Sequence, residues 1–397
     1  MKILLLGAGA QGSVIAAELA KSREVSEVKI ADIDLKRAKV LAERLKSERL
    51  SAQRLDVSNL DDVARAAEGM DVVINAVGIK FNKNIMVATL KSGACYQDLA
   101  SEYVTEKPPF SVDQLEFDDE WKKAECTALI DMGLAPGVTD IVAKEVTDRL
   151  DRVDKIRVTL FYKIESKEMI SSWAPEIAWG DIPEEPVVFK NGKFKKVPPF
   201  SGEETYVFPE PIGQQTIVWH AHEESILMPL FIGKGIKNVG VKIGGEFWSN
   251  MPLAATRAIV QLGLMNDKPM DVKGVKVSPR DLLYTLTPRT LSTEEVEKKI
   301  KTGVITGSYG CILIDIEGEE KGEKVHKTLQ VKAPNIIEVQ KKIPGVYDLS
   351  YMTSVPAALM TIKLGRGEIK TKGVVPPEGL EPKIRKELLT ELAKKDI

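Results

Sequence analysis

The chain predicts a doubly wound parallel α/β sheet followed by a second, α+β domain with a largely antiparallel sheet. Three observations carry this. The first third alternates short, wholly apolar runs with helical periodicity, the pattern of parallel strands covered on both faces. A glycine triplet, Gly7, Gly9 and Gly12, separates the first apolar run from the first helical stretch. Near residue 151 the apolar residues begin to alternate singly, as in half-buried antiparallel strands.

The elements follow in order. Ile3 to Leu6 is the first strand, and Val14, Ile15, Ala17 and Leu19 mark the first helix. Glu27 to Ala31 is the second strand, and Leu35 to Leu45 is an amphipathic helix. Ala52 to Val57 reads as the third strand; Ser58 or Asn59 caps a helix running through Ala67, since both side chains accept from orphan helix amides. Asp71 to Val77 is the fourth strand, residues 82–92 are helical, and Ala94 to Leu99 is a short fifth strand. Asp113 to Cys126 is helical, and Thr127 to Asp131 is the sixth strand.

In the second part, Lys155 to Lys163 alternates, and proline and tryptophan crowd the stretch from Trp173 to Pro211. Further strand-like pieces are Pro186 to Phe189, Glu204 to Phe208, Val239 to Ile243, Gly310 to Ile316 and Lys327 to Val331. Residues 252–264 and 292–301 are helical, with Ser292 as a cap for the second. A helix from Ser354 to about Leu364, a glycine-rich stretch and a charged helix from Pro382 to Lys395 end the chain.

Composition sets limits. At 397 residues the chain is too long for one ordinary domain. A formal charge of −2 gives no electrostatic reason to expect nucleic acid or an anionic membrane surface. Cys95, Cys126 and Cys311 are odd in number and scattered, which argues against a disulfide framework or a metal cluster. No apolar run has the length of a membrane span, so a cytoplasmic protein is expected.

Gly7-Ala8-Gly9-Ala10-Gln11-Gly12 sits between a strand and a helix. That arrangement brings backbone close to a pyrophosphate whose charge rests on the helix N-terminus. Asp32 ends the second strand twenty positions past Gly12, where a carboxylate grips the ribose hydroxyls of a dinucleotide. The first domain is therefore of the Rossmann type. Asp32 favours NAD by repelling a 2′-phosphate, and Lys36 and Arg37 soften that repulsion enough to admit NADP. Neighbouring strand ends add Ile33, Arg37, Asp56, Val57 and the small-residue exit Asn75-Ala76-Val77-Gly78 to the nucleotide set.

Several segments together resemble the saccharopine dehydrogenase-like family, which includes saccharopine reductases, lysine 6-dehydrogenases and carboxynorspermidine dehydrogenases. They are Gly7 to Gly12, Val72 to Gly78, Lys91 to Leu99, Asp131-Met132-Gly133-Leu134-Ala135-Pro136-Gly137-Val138-Thr139, and the tail Gly365 to Glu378. Ile79-Lys80 stands where family members often carry a proline, and no single branch's carboxylate-binding set is matched in full. The resemblance implies an NAD(P)-dependent oxidoreductase acting on a C–N bond of an amino acid or related amine, with hydride transfer and imine formation. It also implies a homodimer formed through the second domain, and a tail that returns to the first. The expected division is 1–132 for the nucleotide, 133–348 for substrate and dimerisation, and 349–397 for the returning tail. Rival readings are a Rossmann dehydrogenase of an aldehyde or alcohol, and an NAD(P)-binding sensor without turnover.

Hydride leaves a carbon readily only when its amine is neutral, so the site needs a proton acceptor. His222 has the right ordinary range, and the resemblance puts it beside the substrate together with Glu223. Asp98, just past the fifth strand, is the competing base or else a cap. The resemblance adds Met132 and Gly133 to the substrate set, and Trp173 and Glu176 lie in a stretch suited to a lid. His220 shares a strand face with His222, but with no cysteine or third histidine nearby the pair is not read as a metal site.

Overall fold

The computed structural model describes every residue except 181, 183, 247 and 248. Its first sheet is built from β1 (Lys2–Leu6), β2 (Glu27–Asp32), β3 (Leu50–Arg54), β4 (Val72–Asn75), β5 (Cys95–Gln97) and β6 (Thr127–Leu129), with a seventh strand, Gly373–Val375, supplied by the tail. The order is β3-β2-β1-β4-β5-β6-tail, and every pairing is parallel. Ile3 to Leu6 are fully buried, because helices cover both faces of a parallel sheet. Those helices include α1 (Ala10–Lys21), α2 (Leu35–Leu45), α3 (Leu60–Ala67) and α4 (Asn82–Ser92). Asn59 caps α3 by accepting from the amides of Asp61 and Asp62.

Register matters more than length here. Leu6 stands beside Ala31 and Asn75, Ile74 beside Gln97, and Gln97 beside Leu129. The loops leaving these strands therefore open on one rim, where open α/β sheets bind ligands.

Just past β6, α5 (Val138–Thr147) leads into the second sheet. Its long strands are β7 (Arg152–Ser166), β8 (Gln214–Trp219), β9 (Asn238–Gly245), β10 (Ile305–Glu320) and β11 (Glu323–Val331). β7, β10 and β11 pair antiparallel, β8 pairs antiparallel with β9, and β9 runs parallel to β7. Short strands Val187–Lys190 and Lys193–Lys196 extend the β9 edge. Between β8 and β9 lies α6 (Glu224–Phe231).

The tail forms α7 (Asp348–Gly365), the seventh strand and α8 (Pro382–Ala393). α7 packs along α1, with Ser354 Oγ donating to the Gln11 carbonyl at 3.1 Å and Ala357 O accepting from Gln97 Nε2 at 2.8 Å. No helix among the described residues is long and apolar enough to cross a membrane.

Four expectations are corrected. β3 ends at Arg54 rather than Val57, because the Asp56 carboxylate accepts from the amide and hydroxyl of Ser58 and turns the chain. β7 and β10 run well past their alternating cores, since each has the other as a partner along nearly its whole length. α7 starts at Asp348 and carries Pro356 within it. The glycine-rich stretch after it hides a three-residue strand, too short to show a period.

Candidate active site

The turn from β1 into α1 accepts only glycine at two places. A Cβ on Gly12 would stand 1.9 Å from the Gly7 carbonyl oxygen, and one on Gly7 2.7 Å from that of Ala76. Gly9, by contrast, faces open space: nothing lies within 4 Å of a Cβ built there. A tight inner turn with one open side fits a pyrophosphate approaching the start of α1. Ala10 and Gln11 begin that helix.

Asp32 is fixed beside this turn. One carboxylate oxygen accepts from the Ala8 amide and the other from the Asp34 amide, both at 2.8 Å. Each oxygen keeps a lone pair, so ribose hydroxyls remain acceptable partners. Ile33 is 60% exposed, and Arg37 lies exposed on the first turn of α2. Val57 is half-buried against the apolar core of this domain. Asn75 is itself buried; its Oδ1 accepts from the Val77 amide at 3.0 Å and its Nδ2 donates to Asn82 Oδ1 at 2.7 Å. It shapes the exit through Ala76, Val77 and Gly78 rather than presenting its amide to a ligand.

Beyond β5 and β6 the rim is lined by buried acids. The Asp98 carboxylate accepts from Tyr96 Oη and Gln114 Nε2, each at 2.9 Å, and from the Asp131 amide at 2.8 Å. Burial raises it to about 7 despite these donors. Asp131 has a left-handed backbone, φ 58°, and both of its oxygens lie 2.7 Å from Ser101 Oγ. Burial, then the neighbouring Glu223 and Asp98 carboxylates, push it well above the ordinary range. The second domain reaches this point through the loop between β8 and α6, where Glu223 Oε1 accepts from the Ser101 amide at 3.1 Å. Burial raises the Glu223 carboxyl, with His222 opposing.

His222 itself is half-buried. Its Nδ1 lies 2.5 Å from Glu224 Oε2, against 3.7 Å to Glu223. Glu224, the first residue of α6, is thus the partner that orients the ring, where Glu223 was expected. Thr139 Oγ1 donates to the other Glu224 oxygen at 2.8 Å. Burial pushes Glu224 up, yet the charge of His222 and these hydrogen bonds bring it below its ordinary value. His222, Glu223 and Glu224 hold ligand-type atoms within 4.8 Å of one another. The His222–Glu224 contact is nevertheless a hydrogen bond, since two ligands of one zinc at bonds of about 2.0–2.1 Å stand more than about 3 Å apart. His220, half-buried with its ring 5.5 Å from that of His222, is pushed down to about 3 by burial and by its neighbour. It is neutral and supports the loop.

Other expected substrate residues fall elsewhere. The Met132 side chain is fully buried in the core shared by β6, α5 and α7. It anchors the loop: the Met132 amide donates to the Asp98 carbonyl at 3.0 Å, and the Gly133 backbone lies beside Leu99. Trp173 packs edge-on against Tyr162 at 6.3 Å and against the apolar cluster around Trp179. Glu176 is exposed on the helix Pro175–Gly180. Neither belongs to the hydrogen-bonded set around His222. Ser101, Asp131, Thr139 and Glu224 do belong to it and were not singled out. Only Asp131 had a signal, an acid closing the sixth strand as Asp98 follows the fifth.

Comparison with known proteins agrees with this architecture. Residues 3–129 match the model of the saccharopine dehydrogenase NADP binding domain, and residues 133–397 that of the saccharopine dehydrogenase C-terminal domain. The chain is 23% identical over 394 residues to the carboxyaminopropylagmatine dehydrogenase of Synechocystis sp., covering 96% of this chain and 93% of the relative. It is 25% identical over 408 residues to the carboxynorspermidine synthase of Vibrio alginolyticus, with the same coverage. In fold it is similar to the apo saccharopine dehydrogenase (L-Glu forming) of Saccharomyces cerevisiae, TM-score 0.68, 16% identity, covering 99% and 97% of the two chains. The homospermidine synthase of Legionella pneumophila in complex with NAD gives a TM-score of 0.64 at 14% identity, covering 98% and 89%.

Proposed function

The chain belongs to the saccharopine dehydrogenase family, and from that premise we propose that this NAD(P)-dependent oxidoreductase acts on a C–N bond of a substrate bearing cationic nitrogen. The carrying observation is the acid-lined rim. The hydrogen-bond and ion-pair partners of Asp131, Glu223 and Glu224 are Ser101, Thr139 and His222, with no lysine or arginine among the described residues. Buried carboxylates without a lysine or arginine partner favour a cation, and an ammonium or guanidinium supplies one. The compounds for which two relatives are named, carboxynorspermidine and carboxyaminopropylagmatine, carry such groups, which favours a polyamine-type substrate over a lysine-derived one.

The roles follow from the contacts. The glycine turn and Asp32 hold the nucleotide, whose nicotinamide supplies the hydride-transfer chemistry. Glu223 and Asp131 attract the substrate's nitrogen, and His222, oriented by Glu224, accepts the proton that makes the amine neutral. Asp98, with its three donors, is a positioning residue that fixes the Asp131 backbone. Asp32 beside the ribose position favours NAD over NADP. Residues 1–132, 133–348 and 349–397 divide the work as nucleotide domain, substrate domain and closing tail. Unpaired cysteines suit a reducing, cytoplasmic setting.

A screen of polyamines, amino acids, alcohols and aldehydes with NAD and NADP, followed by nicotinamide absorbance, tests this reading. Reduction that requires an amine, and is faster at low NAD than at low NADP, supports it. Turnover of alcohols or aldehydes alone, or binding without turnover, rejects it.

The second domain exposes Leu262, Met270, Val272, Val275, Leu282 and Leu286 within one short stretch of chain. Crowded exposed apolar side chains mark an association surface, and we infer that a second copy covers them. A monodisperse monomer in light scattering at micromolar concentration contradicts this.

A further inference from the structure

Glu378 has no part in the roles above. It sits on the single turn Pro377–Gly379 that follows the tail strand and is 2% exposed. Both of its carboxyl oxygens are buried and, its own amide aside, receive no N–H donor among the described residues; Asp140 Oδ1 is buried without a donor as well. The turn packs against α5, which carries Asp140, and each of the two carboxyl groups feels the other. The other Asp140 oxygen accepts from the Gly137 amide at 2.7 Å and lies 3.2 Å from Thr139 Oγ1, whose single hydrogen turns either to it or to Glu224.

Two ionised carboxylates in such a place repel without water to screen them. A single proton between them turns the repulsion into a strong O–H···O⁻ hydrogen bond. The surroundings favour that proton. Glu224 on α6 adds negative charge at both carboxyls, and Asp131 past β6, itself raised, feels Glu378 in turn; Glu223 and His222 lie beyond, next to Glu224. Lys144 on α5, whose charge opposes this at Glu378, is engaged by Asp148 at 2.7 Å, and Arg385 on α8 is engaged by Glu145 at 2.9 Å. Burial raises Glu378 to about 7, and burial with the charges of Glu378 and Glu224 raises Asp140 well above its range.

We propose that Glu378 and Asp140 share one proton at neutral pH and form the inner end of a proton path from His222 through Glu224 and Thr139. The path rests on the reading of His222 as the proton acceptor. Its links are His222 Nδ1 to Glu224 Oε2 at 2.5 Å, Glu224 Oε1 to Thr139 Oγ1 at 2.8 Å, and Thr139 Oγ1 to Asp140 Oδ2 at 3.2 Å. A proton taken by His222 from the substrate ammonium leaves from Nδ1 to Glu224. Glu224 passes a proton to the Thr139 oxygen as the Thr139 hydroxyl hydrogen moves to Asp140. His222 returns to neutral, and the acid pair goes from one proton and one negative charge to two protons and none. The reverse sequence serves reduction. Glu378 is a positioning residue here, and because the tail carries it, the path is complete only when the tail is docked.

Infrared difference spectroscopy and pH-dependent kinetics of full-length Glu378→Gln and Asp140→Asn test this, with thermal unfolding as the check on folding. Glutamine keeps the shape of Glu378 but cannot share a proton. The wild type at neutral pH is expected to show a protonated-carboxyl band that both variants lose. With an amine substrate, Glu378→Gln is expected to lower kcat at least about tenfold, to move the neutral ionisation in the kcat profile, and to leave nucleotide KM unchanged. A variant that keeps every protonated-carboxyl band overturns the shared proton. An unchanged kcat profile, or an equal loss at every pH accompanying a large drop in thermal midpoint, overturns the path. If the wild type turns over no amine, the path falls with the functional reading, while the infrared result still decides the shared proton.

Discussion

Glu224 is fully buried, and the His222 ring is the hydrogen-bond partner of one of its oxygens. Removing the imidazole therefore does two things. His222→Ala should lower turnover by roughly 10²–10⁴-fold, the usual worth of a general base. It should also lower stability by about 1–3 kcal/mol, because a buried carboxylate loses its main partner. Adding Glu224→Gln should restore the thermal midpoint but not the turnover. Full activity in His222→Ala would remove the residue from the mechanism. At this scale the sequence shows what is local: the glycine turn, Asp32 and the histidine pair all lie within short motifs. It hides what depends on meeting. Thr139 and Glu224 are 85 positions apart and Ser101 and Asp131 are 30, so nothing in either neighbourhood announces the contact. Glu378 was visible as part of a family-like tail, but its burial against Asp140 was not.

Among the elements, the turn between β1 and α1 is the most constrained. Its inner wall is the Gly7 carbonyl, which a methyl group on Gly12 would overlap at 1.9 Å. Gly12→Ala should thus force the turn open and weaken NADH binding by about two orders of magnitude or more, since the backbone approach to the pyrophosphate is what the glycines provide. Fluorescence titration checks this; unchanged affinity would place the nucleotide elsewhere. Strand positions in the first domain were legible because buried parallel strands are continuous apolar runs. Ends were less so: β3 stops where Asp56 bonds to Ser58, a side-chain event that apolar pattern does not record. The tail strand had no pattern to read, and its place is set by Leu129, beside which Val375 pairs.

Across the whole molecule, the tail ties the two sheets together. Arg385 on α8 donates through Nε to Glu145 of α5 at 2.9 Å, and α7 lies along α1. The acids buried where these parts meet give stability a pH dependence with a definite sign. Asp98 and Glu378 titrate near 7 in the folded chain, against ordinary values of 3.8 and 4.5. The folded state therefore holds protons that the unfolded chain has released. Their contribution is whole below about pH 4 and lost as pH rises through about 7. The thermal midpoint should fall by several degrees between about pH 5 and about pH 8, with a shallower fall in Glu378→Gln. A midpoint that rises over this range would show that these carboxyls are ionised in the native state.

The central claim is that this rim opens a C–N bond at the expense of NAD(P). The most direct measurement is nicotinamide reduction by the purified wild-type chain with a polyamine-type substrate, with quantitation of the amine and carbonyl products. The account predicts reduction that depends strictly on the amine, with one nucleotide reduced for each C–N bond opened. Nucleotide reduction by an alcohol or aldehyde with every C–N bond left intact would contradict it.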